Sequence, residues 1–366
     1  MGVAVMGVGF AGAFPTSDGL SYRELIAGAA LAAYRDAGID PEQLDGAVSV
    51  EEDFVSGYSI ADEYVPDQLG VVRKPVYTIC GDFLHGVGSA VMQIETGRFD
   101  LVVVEAYSKA SNILLKDELL HFAFDPVYDR LGVSPHFLAA LEMQQFLEVS
   151  GFDLADVAVV VGRNRDAAVG NPAAAWAADV WPEDVLGGRP VATPLTEPML
   201  AKHADGAVVV VLGTDETAER YARAPIAITG TGWGSGNSVG QRREPVTSAG
   251  TVIAAGQALA EAGIADPADV DVVYVSDVYP HRQLMHLDAM GISAEGVVNP
   301  DGGCLGVGDL IEANGGARLV DAVRQLRGEA GAHQVDGARS ALVHGWRGLP
   351  TDSCAVVVLE RERRSA

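Results

Sequence analysis

Residues 76–104, VYTICGDFLHGVGSAVMQIETGRFDLVVV, change their hydrophobic period twice. Val76 to Ile79 is a short apolar run rich in β-branched residues, the composition of a buried strand. Cys80-Gly81-Asp82 interrupts it. A helix follows, with the small residues Gly86, Ser89 and Ala90 on one face and an end near Gly97. Asp100 then opens a second apolar run, Leu101 to Val104. Strand, helix, strand is the unit of an α/β fold. It puts Cys80 where a strand turns into a buried helix. Unpaired N–H groups and the helix dipole stabilise a thiolate at such a place, so Cys80 is a candidate nucleophile. The alternative is an inert buried cysteine.

The same grammar extends outward. Val3 to Val8 reads as a strand. Ser21 to Ala37 reads as a helix, opened by the capping box Ser21/Glu24 and closed by Gly38, and Ala47 to Val50 as the next strand. The ending recurs. Ala37-Gly38-Ile39, Pro41 and Asp45 return as Ala262-Gly263-Ile264, Pro267 and Asp271. One recurrence at more than half the chain length points to a duplicated domain. The halves are assigned to residues 1–222 and 223–366. Residues 112–198 form an insertion with helical text over Pro135–Ser150 and Leu154–Ala168, read as a cap. Asp205 to Leu212 and Val356 to Leu359 are further strands. Gly7-Val-Gly-Phe-Ala-Gly12 matches G-x-G-x-x-G, but no helix opens at its third glycine, so these read as turn glycines.

Composition narrows the function. The chain has 366 residues, 48% hydrophobic, enough for about two core-forming units of roughly 150 residues each. With 50 acidic against 25 basic side chains, the net charge of −25 excludes sequence-independent nucleic-acid binding and argues against an anionic membrane surface. The strongest apolar run, Ala207 to Leu212, is far shorter than the roughly 18–20 residues of a membrane span. The N-terminal residues have no basic region of a signal peptide. Cys80, Cys304 and Cys354 are too few for a disulfide framework. A cytoplasmic α/β protein is expected.

The spacing of Cys80, Gly97 and Asp100 resembles the nucleophile helix of thiolases, especially the sterol-carrier-protein type and its bacterial and archaeal relatives. Tyr22–Val50, Asn171-Pro-Ala173, Asp205-Gly-Ala207 and Val298-Asn-Pro-Asp-Gly-Gly303 are similar to further motifs of that superfamily. The resemblance covers nearly the whole chain. It implies a five-layered αβαβα fold made of two duplicated halves. It implies acyltransferase chemistry on coenzyme A thioesters, with no permanently bound cofactor and no metal. A homodimer and a small zinc-ribbon/OB-fold partner protein are the implied assemblies.

Two departures stand out. Ser276, in Ser276-Asp277-Val278-Tyr279, replaces the family's oxyanion-hole Asn or His. Asp309, in Gly308-Asp309-Leu310, replaces its catalytic histidine. Asp309 could orient a histidine, bind a polar substrate or cap the following helix. His344 matches the position of a second catalytic Cys or His, and His136 lies at the start of a cap helix, so both are candidate proton carriers for Cys80. Arg242 and Arg243 are the best candidates for the coenzyme's phosphates, with Lys202 and Arg163 behind them. Cys304 reads as a small residue in a close-packed turn and Cys354 as core. His281 and His286 lack metal-ligand spacing. The expected function is Claisen-type condensation, C-acylation or the reverse thiolysis through an acyl-Cys80. The alternatives are a non-catalytic, partner-dependent subunit, and a retro-aldolase that needs Tyr279 but not Cys80.

Overall fold

The computed structural model describes residues 2–52, 61–112, 130–237, 247–349 and 351–363. Among the described residues, nine strands form one sheet, in the order β3-β2-β4-β7-β1-β8-β11-β10-β9. They are β1 (Val3–Phe14), β2 (Gly46–Val50), β3 (Val76–Ile79), β4 (Leu101–Lys109), β7 (Asp205–Thr214), β8 (Ile226–Ser235), β9 (Val272–Tyr274), β10 (Ser340–Arg347) and β11 (Ser353–Glu360). The strands β5 (Pro190–Ala192) and β6 (Leu195–Thr196) make a separate hairpin.

The strand order is a mirror. Outward from the β1–β8 junction, one side runs β1, β7, β4, β2, β3 and the other β8, β11, β10, β9. In each half the inner two pairings are antiparallel and the next is parallel. A bridge from Val298 to Val273 stands where the second half would carry its fifth strand. The halves meet through three residue pairs, Val3–Val5 against Ile226–Ile228. Duplication is thus visible in the topology as well as in the repeated text.

Five layers follow from which strand faces are apolar. The helix α1 (Tyr22–Ala37) covers the outer face of the first half. Helices α2 (Phe83–Glu95) and α7 (Asn314–Arg327) lie between the two half-sheets. Helices α5 (Ala249–Glu261) and α6 (Pro280–Met290) cover the outer face of the second half. The insertion places α3 (Pro135–Ser150) and α4 (Leu154–Ala167) against that same outer layer. Strands buried on both faces carry unbroken apolar runs. In β7, Val208 and Val210 enter the middle layer, and Val209 and Val211 enter the layer under α1.

β1 runs unbroken through the whole G-x-G-x-x-G segment, which is not a turn. A Cβ at Gly7 or Gly9 would fall on the backbone of α1, at Ala33 and Ala29. A Cβ at Gly230 or Gly232 would do the same against α5, at Ala258 and Ala254. Each half thus lays its first helix directly on a glycine-bearing strand. The α1 capping box and its left-handed Gly38 (φ 69°) stand as read from sequence. The helix that follows Asp309 starts at Asn314, after a short 3-10 turn over Ile311–Ala313.

Candidate active site

The N-termini of α2 and α7 converge in the middle layer. β3 ends at Ile79, and Cys80 is exposed. Gly81 adopts φ +136°, a conformation that L side chains rarely adopt, and turns the chain so that Asp82 enters the interior while Cys80 stays outside. Asp82 caps both helices. The Leu84 N–H donates to its Oδ1 (3.0 Å), and the Gly315 N–H donates to its Oδ2 (2.9 Å). A Cβ on Gly315 or on Gly345 of β10 would fall on this carboxylate. Burial raises the Asp82 carboxyl above the usual carboxylate range, and outweighs the pull of Arg318 and the two N–H groups. His85, one turn on, has Nε2 3.0 Å from Ser353 Oγ. Burial pushes it down, against the pull of Asp82.

A second cluster lies on the loops after β9. Asp277 accepts from the Cys304 N–H (2.7 Å), the Leu305 N–H (3.1 Å) and Asn164 Nδ2 (2.7 Å). The buried Arg318 donates toward Asp277 Oδ1 (3.4 Å) and the His344 carbonyl (3.3 Å), and its Nη2 lies 2.8 Å from Cys304 Sγ. Burial alone would lower the Arg318 pKa, but Cys304, Asp277, Asp82 and Asp301 outweigh it and hold the guanidinium charged. Cys304 lies buried in the tight Gly303–Gly306 turn, as read from sequence, with Arg318 against its sulfur.

Asp309 is fully buried. Its Oδ1 accepts from Asn314 Nδ2 (2.7 Å) and from the Ile311 N–H (3.1 Å), so it caps the 3-10 turn, not α7. Its Oδ2 lies 4.0 Å from Nδ1 of His203, a half-exposed residue on the approach to β7. Sequence reading passed over His203, whose only signal was its place two residues before Asp205-Gly-Ala207. Ser276 is buried, and its hydroxyl has no partner among the described residues.

The structure does not bring His344 to Cys80. On β10, Gly345 faces Asp82 in the middle layer, so His344 faces the opposite way, toward α5 and α6. There its Nε2 lies 3.1 Å from Thr251 Oγ1, and its ring lies tilted against that of His286, with centroids 4.3 Å apart. Burial, then Arg318 and Arg282, push its pKa well down and keep it neutral. This corrects the expectation that it serves Cys80. His136 is held instead by Tyr279, with Nδ1 3.1 Å from the buried phenol oxygen. The structure thus joins a candidate of the acyltransferase reading to the residue named for the aldolase reading.

Residues 297–361 match the family model "Thiolase C-terminal domain-like". The acetyl-CoA acetyltransferase of Methanothermobacter thermautotrophicus is 28% identical over 351 residues, covering 89% of this chain and 91% of that protein. In sequence the chain is thus similar to members of the thiolase superfamily over nearly its whole length. The 17-hydroxy-3-oxo-4-pregnene-20-carboxyl-CoA lyase of Mycobacterium tuberculosis is 26% identical, covering 95% of this chain and 97% of that protein. Among solved structures, the Ltp2-ChsH2(DUF35) aldolase matches with a TM-score of 0.85 at 23% identity, over 99% of this chain and 98% of its own. Human mitochondrial 3-ketoacyl-CoA thiolase matches at 0.80 and 16%, over 98% of each. The thiolase fold is thus shared with relatives whose names denote acyl transfer and with others whose names denote C–C lysis.

The remaining thiolase-derived candidates are placed as follows. Lys202 is exposed, its Nζ 4.7 Å above the Trp176 ring. Arg242 and Arg243 lie outside the described residues. Arg163 donates to the Ala294 carbonyl (2.7 Å). His281 and His286 point apart, His281 to Glu142 Oε1 (3.2 Å) and His286 to Thr251 Oγ1 (2.8 Å). His286, His344 and Cys354 offer ligand atoms within 4.8 Å of one another, but the Thr251 hydroxyl sits among them and contacts all three. Burial pushes the Cys354 thiol up to about 12. The cluster reads as a hydrogen-bonded core, with neutral thiol and imidazoles. Among the described residues no helix is long and apolar enough to cross a membrane.

Proposed function

We propose that this chain breaks, or in reverse makes, a carbon–carbon bond in an acyl thioester of the coenzyme A type, by acid–base chemistry at the Tyr279–His136 pair. The observation that carries the reading is the Tyr279 phenol held 3.1 Å from His136 Nδ1, while the histidine expected to serve Cys80 faces another layer. The lyase relative and the aldolase structure support it. In the cleavage direction the pair removes the proton of a β-hydroxyl group. The Cα–Cβ bond then breaks, the β-carbon leaves as an aldehyde or ketone, and its electron pair forms the thioester enolate. A proton returned to Cα completes the product. A positioned acid–base pair of this kind contributes about 10²–10⁴-fold in rate. Lys202, Arg242 and Arg243 are the proposed contacts to the coenzyme. The solved aldolase is named for two components, which supports a second subunit here. We assign that role to a small zinc-ribbon/OB-fold protein, beside a homodimer of this chain.

The test supplies β-hydroxyacyl-CoA substrates and measures carbonyl product and shortened acyl-CoA. Tyr279→Phe should lose at least about 100-fold in kcat, and Cys80→Ala should retain activity. The second reading is acyl transfer through Cys80, favoured by the exposure of Cys80 at the β3–α2 junction. Loss of activity in Cys80→Ala, with an acyl adduct on Cys80 and an active Tyr279→Phe, would select it.

A further inference from the structure

The helix α3 of the insertion carries two polar side chains against the first turn of α6. One is His136, whose Nδ1 lies 3.1 Å from the Tyr279 phenol. The other is Glu142, which is 1% exposed. His281 Nε2 lies 3.2 Å from Glu142 Oε1, and Arg282 Nη2 donates to Glu142 Oε2. Arg282 also donates to Asp352 Oδ1 (3.3 Å), and its guanidinium lies 4.2 Å above the Trp346 ring. His281 and Arg282 are fully buried. Burial pushes the His281 pKa down, against the pull of Glu142. Its Nδ1 has no partner among the described residues, which fits a neutral ring that donates its Nε2 proton to Glu142. Tyr279 is the N-cap of α6, and its carbonyl accepts the Arg282 N–H (3.0 Å). Phenol, imidazole and guanidinium thus stand on one turn, with the Tyr279 and His281 rings 5.9 Å apart.

Apolar packing seats α3 without fixing its register. Leu138, Met143 and Phe146 join the core that holds Leu284 and Met285 of α6, and such contact is non-directional. A carboxylate facing two fixed donors is directional, and holds one axial position and one rotation of its helix. His136 lies about 9 Å up the same helix, so a slip at Glu142 is passed on to it. We propose that Glu142 is a positioning residue: by gripping His281 and Arg282 it sets the register of α3 on α6, and thereby holds His136 at the Tyr279 phenol. The catalytic consequence rests on the Tyr279–His136 reading; the grip itself does not.

The test is NMR of the whole chain with isotope-labelled histidine rings, the signals assigned by His136→Gln and His281→Gln. In the unsubstituted protein the His281 Nε2 proton should exchange slowly with solvent. Fast exchange overturns the proposal even if no variant folds. Tyr279→Phe marks the His136 signal without its phenol partner. Folded Glu142→Gln, which keeps the size and loses the charge, should move the His136 signal toward that position. Glu148→Gln, at an exposed acid of the same helix, should leave it in place. An unmoved His136 signal in Glu142→Gln overturns the proposal. A His136 signal that Tyr279→Phe leaves in place removes the pair, and with it both readings. In β-hydroxyacyl-CoA cleavage, Glu142→Gln should lower kcat about 100-fold and change KM less than about threefold. An unchanged kcat also overturns the proposal. Where the unsubstituted protein cleaves nothing but the histidine signals behave as expected, the reaction reading fails and the positioning of His136 stands.

Discussion

Glu105 stands fully buried on β4, with Oε2 accepting from Ser49 Oγ (3.0 Å). Burial pushes its carboxyl up to about 8, against the Ser49 hydrogen bond. The unfolded chain releases that proton near the ordinary carboxyl value and the folded chain keeps it. Folding stability should therefore fall as pH rises between these values, by up to about 1.4 kcal/mol per unit. Urea midpoints at pH 6 and pH 8.5 check this. Glu105→Gln should flatten the difference, and an equal slope in the variant would contradict the assignment. His344 is the second residue-scale case. His344→Ala should destabilise the protein by roughly 1–3 kcal/mol, because Thr251 and the Ser276 N–H lose a buried partner. It should leave the pH profile of Cys80 alkylation by iodoacetamide unchanged. A shifted profile would return His344 to the site.

At the scale of elements, much of the fold was legible and the side-chain aim was not. The α1 capping box and Gly38 fix a helix from local text alone. The repeated Ala-Gly-Ile text marks the mirrored halves. The glycines of β1 were visible, but only the packed structure shows that they admit a helix backbone rather than a turn. In β10 the run Leu342-Val-His-Gly-Trp346 is buried on both faces, so no polar alternation tells which way His344 points. Tyr279 and His136 are 143 residues apart, and nothing local couples them. Gly9→Val should force α1 off β1. A loss of several kcal/mol and weakened burial of Tyr22 and Ile26 are expected, read by urea unfolding and amide exchange over α1.

At the scale of the molecule, the halves share three residue pairs of sheet among the described residues, and the middle layer packs them together. Phe83 of α2 is fully buried there, and a Cβ on Gly316 of α7 would fall against its ring. Phe83→Ala should cost about 3–5 kcal/mol and shift one cooperative transition. Two separated transitions in calorimetry would show that the halves unfold independently. The net charge of −25 takes on a local meaning. Part of the acidic excess is buried, as Asp82, Asp277 and Asp309, with the guanidinium of Arg318 in contact with Asp277. The direct test of the central claim compares β-hydroxyacyl-CoA cleavage by Tyr279→Phe and Cys80→Ala, each measured with and without a zinc-ribbon/OB-fold partner. Cleavage should be lost at least about 100-fold in Tyr279→Phe and retained in Cys80→Ala. Cleavage that survives Tyr279→Phe and vanishes in Cys80→Ala would contradict the claim.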